Sequence, residues 1–201
     1  MMASAGALAA GSDEQLAVAS AAGDSLAFQA LAERYTKPAF NYAYHVLGGY
    51  DEASDAVQEA LIQVFQALPR AKLDLPFRPW FYQILRNKCL DSLRRRKVVV
   101  RLAVSNGDDA DVAASPLEML PDSDPLPEEL HERRDLQRVL HSCIGELPPK
   151  YREVVTLRYT TDLTFEEIGG ALGLPVNTVK THFQRAKVIL KKAVLDLGGE
   201  R

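Results

Sequence analysis

Apolar residues recur along this chain at spacings of three and four, the period of one face of an α-helix. Nowhere do they alternate with polar residues over the length of a strand. Asp51 to Leu68 is the cleanest stretch. Ala53, Ala56, Val57, Ala60, Leu61, Val64, Phe65 and Leu68 share one face, and Asp51, Asp55, Gln58, Glu59, Gln63 and Gln66 share the other. Ser12 can cap a helix that ends at Gly23. Asp24 can cap a second helix, with Phe28, Leu31 and Tyr35 on its inner face. Pro38 suits a first helical position and is predicted to open a separate piece that ends near Gly48 and Gly49. After a loop from Pro69 to Pro76, a long helix is predicted from about Phe77 to Lys97, with Phe77, Trp80, Phe81, Ile84, Leu85 and Leu93 inward. Pro79 is tolerated only near a helix start, which places that start close to Phe77. Val98 to Val100 is too short to count as a strand.

The segment from Leu102 to Pro127 breaks the helical pattern. It holds Gly107 and four prolines among many Asp and Ser residues, too little apolar surface to offset the entropy of ordering it. It is read as a mobile linker. A second helical domain is predicted from Glu128, with one helix ending before Pro148-Pro149 and another from about Lys150 to Tyr159. Thr164-Phe165-Glu166-Glu167 is a capping-box pattern. It opens a short helix with Ile168 and Leu172 inward and the small Gly169 where a second helix could cross closely. Gly173 can take the left-handed turn conformation, and Leu174 plugs the corner. Past Pro175 a last helix carries Val179, Phe183, Ala186 and Leu190 on its core side. Its other face presents Lys180, Thr181, Gln184, Arg185 and Lys187. That is a helix-turn-helix whose second helix is basic and rich in hydrogen-bonding groups, suited to the major groove. Lys and Arg meet phosphate or guanine, Gln can pair with adenine, and Thr can touch a thymine methyl.

Composition narrows the class. With 47% hydrophobic and 25% charged residues the chain is an ordinary globular protein rather than a disordered or fibrous one. No apolar run is long enough to cross a bilayer, so no membrane insertion is expected. Met1 to Gly11 lacks a basic leading segment and reads as a disordered tail, not a signal peptide. Two distant cysteines, Cys89 and Cys143, fit a reducing, cytoplasmic setting without a disulfide framework.

The net charge of −3 conceals a strong segregation. Met1 to Pro69 is acidic, with eight Asp and Glu against Arg34 and Lys37. Arg70 to Arg101 holds ten Lys and Arg against Asp74 and Asp91. Leu102 to Glu132 holds nine acids and no Lys or Arg, and Val176 to Lys192 holds five bases and no acid. Two basic segments separated by an acidic one suggest two nucleic-acid contacts.

These residues resemble a known family. Phe165-Glu166-Glu167-Ile168, then Pro175-Val176-Asn177-Thr178-Val179-Lys180-Thr181 and Arg185-Ala186, look like region four of sigma-70 factors. Leu147-Pro148, Arg152, Val155 and Leu157-Arg158 agree with it. In the first half, Asp55-Ala56-Val57-Gln58-Glu59 with Phe65 looks like region 2.2, and Phe77, Trp80, Ile84, Asn87, Asp91 and Arg94 look like regions 2.3 and 2.4. No region three lies between, which is the minimal arrangement of the extracytoplasmic-function group. The resemblance implies an all-α fold of two small helical domains, at 12–97 and 128–197, joined by the acidic linker 98–127. It implies a factor that binds core RNA polymerase and directs promoter recognition and opening, with no catalysis, cofactor or metal of its own. The Asp55, Gln58, Glu59 face would dock on the β′ clamp, and region four would meet the β flap. Lys72, Arg78, Arg86, Asn87, Lys88, Asp91 and Arg94 would bind the minus-ten element. Lys180, Thr181, Gln184 and Arg185 would read the minus-thirty-five element. Trp80 and Phe81 lie on the apolar stripe and read as core. The family is commonly held inactive by an anti-sigma factor, so the resemblance implies that partner as well. His182 stands where the family often has a basic residue, so a DNA contact there does not transfer.

Two other readings compete. Thr178 to His182 also resembles the LuxR-type helix-turn-helix, but such regulators usually add a receiver domain with βα alternation, which this sequence lacks. A metal-dependent or hydrolytic enzyme would rest on His131, His141 and Cys143, whose spacing matches no zinc pattern. There is no phosphate-binding glycine loop and no nucleophile elbow.

Overall fold

The computed structural model describes residues 11–71, 76–105 and 143–198. Seven α-helices run through them: α1 Asp13–Ala21, α2 Ser25–Leu47, α3 Tyr50–Ala67, α4 Phe77–Ser105, α5 Pro149–Thr161, α6 Phe165–Leu172 and α7 Val176–Gly198. A short 3-10 turn, Leu68–Arg70, follows α3, and 143–146 form a helical turn before α5. No strand occurs among the described residues. The chain divides into two compact units, one holding α1 to α4 and the other built on α5, the start of α6 and α7.

In the first unit the helix starts follow from local chemistry. The Ser12 hydroxyl accepts from the Gln15 amide while the Gln15 side chain accepts from the Ser12 amide, at 3.2 and 2.9 Å, a complete capping box. Asp24 accepts from the amides of Leu26 and Ala27 at 2.9 and 3.2 Å. Gly48, at φ +80°, ends α2 in the left-handed region. Helices α2, α3 and α4 pack on one another, with α1 laid against α2 and the 68–70 turn. The core is unusually aromatic. Tyr35 sits 5.4 Å from Phe77 and 4.7 Å from Phe81, and Tyr42 meets Tyr82 edge-on. Leu31, Val57, Val64, Leu85 and Cys89 fill the space around them.

The structure departs from the sequence-based expectation at several points. Pro38 does not open a helix; α2 passes through it without a break. A proline inside a helix costs about 3 kcal/mol. Beyond it, Ala39, Tyr42, Ala43 and Leu47 are all buried, and each large apolar side chain so placed returns about 1.5–3 kcal/mol. Phe65 is half-exposed, lying edge-on to Phe28 at 4.9 Å, and Leu61 is only partly buried, so the buried stripe of α3 is narrower than its spacing suggests. In α4, Trp80 and Leu93 are partly buried, while Tyr82 and Cys89 join the core. Helix α4 starts at Phe77 as Pro79 implied, but it continues to Ser105, beyond the expected end at Lys97 and through Val98 to Val100. Positions 1–10 of the expected tail, 106–127 of the expected linker, and Lys72, His131 and His141 lie outside the described residues.

In the second unit two arginines hold the turns. Arg152 donates to the carbonyls of Gly145 and Leu147, closing the bend before α5. Arg158 donates to the Leu163 carbonyl at 2.6 Å and lies over the Phe165 ring, which joins the end of α5 to the start of α6. Thr164 and Glu167 make the capping box read from the sequence, at 3.1 and 2.8 Å. Gly173 adopts φ +65°. Gly169 is tight for a different reason than a helix crossing: a β-carbon there would lie 2.8 Å from the Leu174 carbonyl, where the turn folds back. Leu147, Tyr151, Val155 and Ala186 form the core between α5 and α7, flanked by Ile144, Phe183 and Leu190.

Candidate nucleic-acid and polymerase interfaces

Helix α3 divides its acidic side in two. Asp55 and Gln58 are exposed, and the row they start continues one and two turns on with Ile62 and Phe65, 56% and 52% exposed. An acid and an amide followed by two half-exposed apolar side chains, Phe65 with one side on Phe28, make a surface with both polar and apolar character. Glu59 points differently, toward α4, where it pairs with Lys88 at 3.4 Å and Arg95 at 3.9 Å. Glu52 pairs in the same way with Arg96 at 3.9 Å. Glu52, Asp55, Glu59, Ser92 and Arg95 line a shallow cleft of about 230 Å³ between the two helices.

Helix α4 is therefore also two-sided. Lys88, Arg95 and Arg96 face the acids of α3. Asn87, Asp91 and Arg94, four and three residues apart, form an exposed outer row, with Arg94 held by Asp91 at 2.9 Å. Arg78 and Arg86 are partly buried, and Arg78 lies close enough to Tyr35 for its charge to act on that hydroxyl. The structure thus places Asn87, Asp91 and Arg94 together and sets Lys88 apart from them. Sequence periodicity missed that split because it depends on which acids the neighbouring helix presents.

Helix α7 presents Lys180, Thr181, Gln184 and Arg185, all exposed. Lys180 reaches back to Glu166 on α6 at 3.8 Å, and the Thr181 hydroxyl donates to the Asn177 carbonyl at 2.8 Å. Asn177, Thr178, Thr181, His182 and Arg185 line an open depression on this face. His182 is partly buried, packed edge-on against Tyr151 at 5.4 Å. Burial lowers its pKa, and the charges of Lys150 and Arg185 lower it further. Tyr151 itself is buried, with Lys150 over its ring at 5.1 Å. The cationic Arg185 is the main cause that draws the Tyr151 hydroxyl below the usual phenol range, and the charge of Lys150 adds to it; burial acts against both. Lys150 and Tyr151 are neighbours of the α7 surface that the sequence did not single out. Their place beside Pro148-Pro149 at a helix start gave no sign of which helix they would meet.

Two regions of the chain match models of one family: residues 31–98 match sigma-70 region 2, and residues 137–190 match sigma-70 region 4. Over 179 residues the chain is 32% identical to the ECF RNA polymerase sigma factor SigW of Bacillus subtilis, covering 87% of this chain and 92% of that one. The chain belongs to the sigma-70 family, in its extracytoplasmic-function group. The ECF sigma-E factor of Escherichia coli is 30% identical over 184 residues, 87% of this chain and 90% of that one. Among solved structures, CnrH in complex with the cytosolic domain of CnrY superposes with a TM-score of 0.65 at 26% identity, over 92% of this chain and 97% of that one.

As a sigma factor, the chain binds RNA polymerase and confers promoter specificity; it catalyses no reaction itself. Both halves match sigma regions, so a LuxR-type regulator is not the favoured reading. Among the described residues no helix is long and apolar enough to cross a membrane, and no group of His, Cys, Asp and Glu is placed to hold a metal ion. Cys143, one member of the enzyme reading, is buried.

Proposed function

We propose that each role of this sigma factor belongs to one of the surfaces described above. The unit from position 12 through α4 serves as region two. Asp55 and Gln58 dock on the β′ clamp of core polymerase, with Glu59 bracing α3 against α4. The outer row of α4, Asn87, Asp91 and Arg94, together with Lys72, Arg78, Arg86 and Lys88, engages the minus-ten element. The unit at 128–197 serves as region four, meeting the β flap and reading the minus-thirty-five element through Lys180, Thr181, Gln184 and Arg185. The protein works in the cytoplasm. An anti-sigma factor is a further partner, since CnrH was solved with the cytosolic domain of CnrY and a Bartonella quintana sigma factor with its anti-sigma factor NepR.

The observation that best supports the docking assignment is the exposed row from Asp55 and Gln58 to Ile62 and Phe65. An acidic and amide patch on a rigid helix suits a basic partner, and neighbouring apolar groups add area that water leaves on contact. The test is gel filtration with sigma-free core polymerase. Wild type should co-elute, and Asp55→Arg with Gln58→Ala should not, while circular dichroism stays unchanged. These positions are exposed, so loss of co-elution reports the interface. Equal co-elution of both proteins would move the docking surface elsewhere.

A further inference from the structure

Three cations on the inner side of α4 each meet an acid of α3. Lys88 lies 3.4 Å from one oxygen of the Glu59 carboxylate, and Arg95 lies 3.9 Å from the other. Arg96 lies 3.9 Å from Glu52, two turns before Glu59 on α3. None of these five side chains is buried, and exposed ion pairs add little to stability. Their effect on an approaching anion is larger. A phosphate that reaches Lys88 or Arg95 must displace a carboxylate already there. The displaced carboxylate then stands beside it as a like charge.

We propose that Glu59, seconded by Glu52, is an internal brake on DNA binding by the free chain, its carboxylate occupying Lys88 and Arg95 in place of DNA phosphates. The inference rests on the reading of α4 as the helix that meets the minus-ten element, with Lys88 among its contacts. The brake acts most strongly before polymerase is bound. Once polymerase holds the chain beside a promoter, contact becomes effectively intramolecular, and a high effective concentration overcomes the same penalty. The ion pairs thus keep the unassembled factor off DNA of no particular sequence.

The test is a fluorescence-anisotropy titration of the free, full chain with a labelled duplex of arbitrary sequence, repeated over a range of potassium concentrations. Glu59→Gln keeps the shape of the side chain and removes its charge. It should bind more tightly than wild type and steepen the slope of log affinity against log salt by about 0.9 for each cation released. Glu33→Gln makes the same charge change at an exposed position of α2, where the carboxylate accepts only from Gln29, and should leave the slope unchanged. In a Lys88→Gln, Arg95→Gln background, Glu59→Gln should have no further effect. Circular dichroism should match wild type throughout. Should Glu59→Gln unfold, Glu52→Gln is read in the same way through Arg96.

Wild-type affinity and slope in the folded variant overturn the inference alone. So does a gain that Glu33→Gln matches, which is what net charge by itself would give, or a gain that persists without Lys88 and Arg95. The reading of α4 has a separate measurement, permanganate reactivity of the duplex that wild-type holoenzyme selects from a randomised pool. If holoenzyme carrying Asn87→Ala and Arg94→Ala melts the minus-ten element as wild type does, that reading falls, and this inference falls with it.

Discussion

Asp13 shows how much one side chain can hold. Its carboxylate accepts from both Arg34 and the Tyr35 hydroxyl, tying α1 to α2. Tyr35 is buried among Phe77, Phe81 and Tyr82, so its hydroxyl has little other recourse. Asp13→Ala should destabilise the first unit by about 1–3 kcal/mol, the cost of orphaning a buried donor, measurable by urea denaturation. Cys89 gives a pH signature. Burial pushes its thiol up to about 12 from 9.0. Above pH 9 the unfolded chain loses that proton while the folded chain keeps it, so stability falls as pH rises. The slope from this group reaches at most about 1.4 kcal/mol per pH unit. Tyr35, raised by burial and by Asp13, adds a second loss once pH passes about 10, the unfolded phenol value. Cys89→Ala should therefore flatten the stability profile of the first unit between pH 9 and 10, below the unfolded phenol value at which Tyr35 begins to act.

At the scale of elements, the caps were legible because their partners are three residues away. Ser12 and Asp24 cap their helices and Thr164 forms its box with Glu167, as the sequence indicates; the return bond from the Ser12 amide to Gln15 is an addition of the structure. Thr164→Ala should cost about 1 kcal/mol, and Gly173→Ala about 1–2 kcal/mol, because an alanine at φ +65° is strained even with open space around it. Gly169→Val should be more damaging than either, since its side chain would meet backbone at Leu174. Thermal melts of the three variants would rank them. Pro38 was misread for the opposite reason. Its local penalty is visible in the sequence, whereas the burial of Tyr42 and Leu47 that outweighs it depends on distant residues. The same limit hid the pairing of Lys88 and Arg95 with Glu59: periodicity assigns a face to a residue but not the neighbour across from it.

At the scale of the whole molecule, basic helices sit within a chain of net charge −3. The free protein should bind duplex promoter DNA far more weakly than holoenzyme does at physiological salt, because polymerase must bring both contacts to bear together. Comparable affinities in a fluorescence-anisotropy titration would contradict this. Arg185→Ala should reduce promoter use without reducing co-elution with core polymerase; loss of both together would point to a misfolded region four. The division into a polymerase-facing and a DNA-facing set of residues is then a property of the assembled enzyme, drawn from surfaces each unit already presents.

The arginines that close the turns of the second unit bear on how its DNA contact responds to ions. Arg152 and Arg158 are committed to backbone carbonyls, and Arg158 also to a ring. The carbonyls leave the charge intact, but a guanidinium held at a turn cannot swing out to follow a phosphate as an exposed lysine on α7 can. Each phosphate neutralised displaces condensed counterions and steepens the dependence of log affinity on log salt by about 0.9. The exponent for the upstream contact should therefore follow the exposed cations of α7, Lys180, Arg185, Lys187, Lys191 and Lys192, and not the larger number of basic residues in that half of the chain. Promoter occupancy would accordingly fall less steeply with rising potassium than a count of Lys and Arg implies.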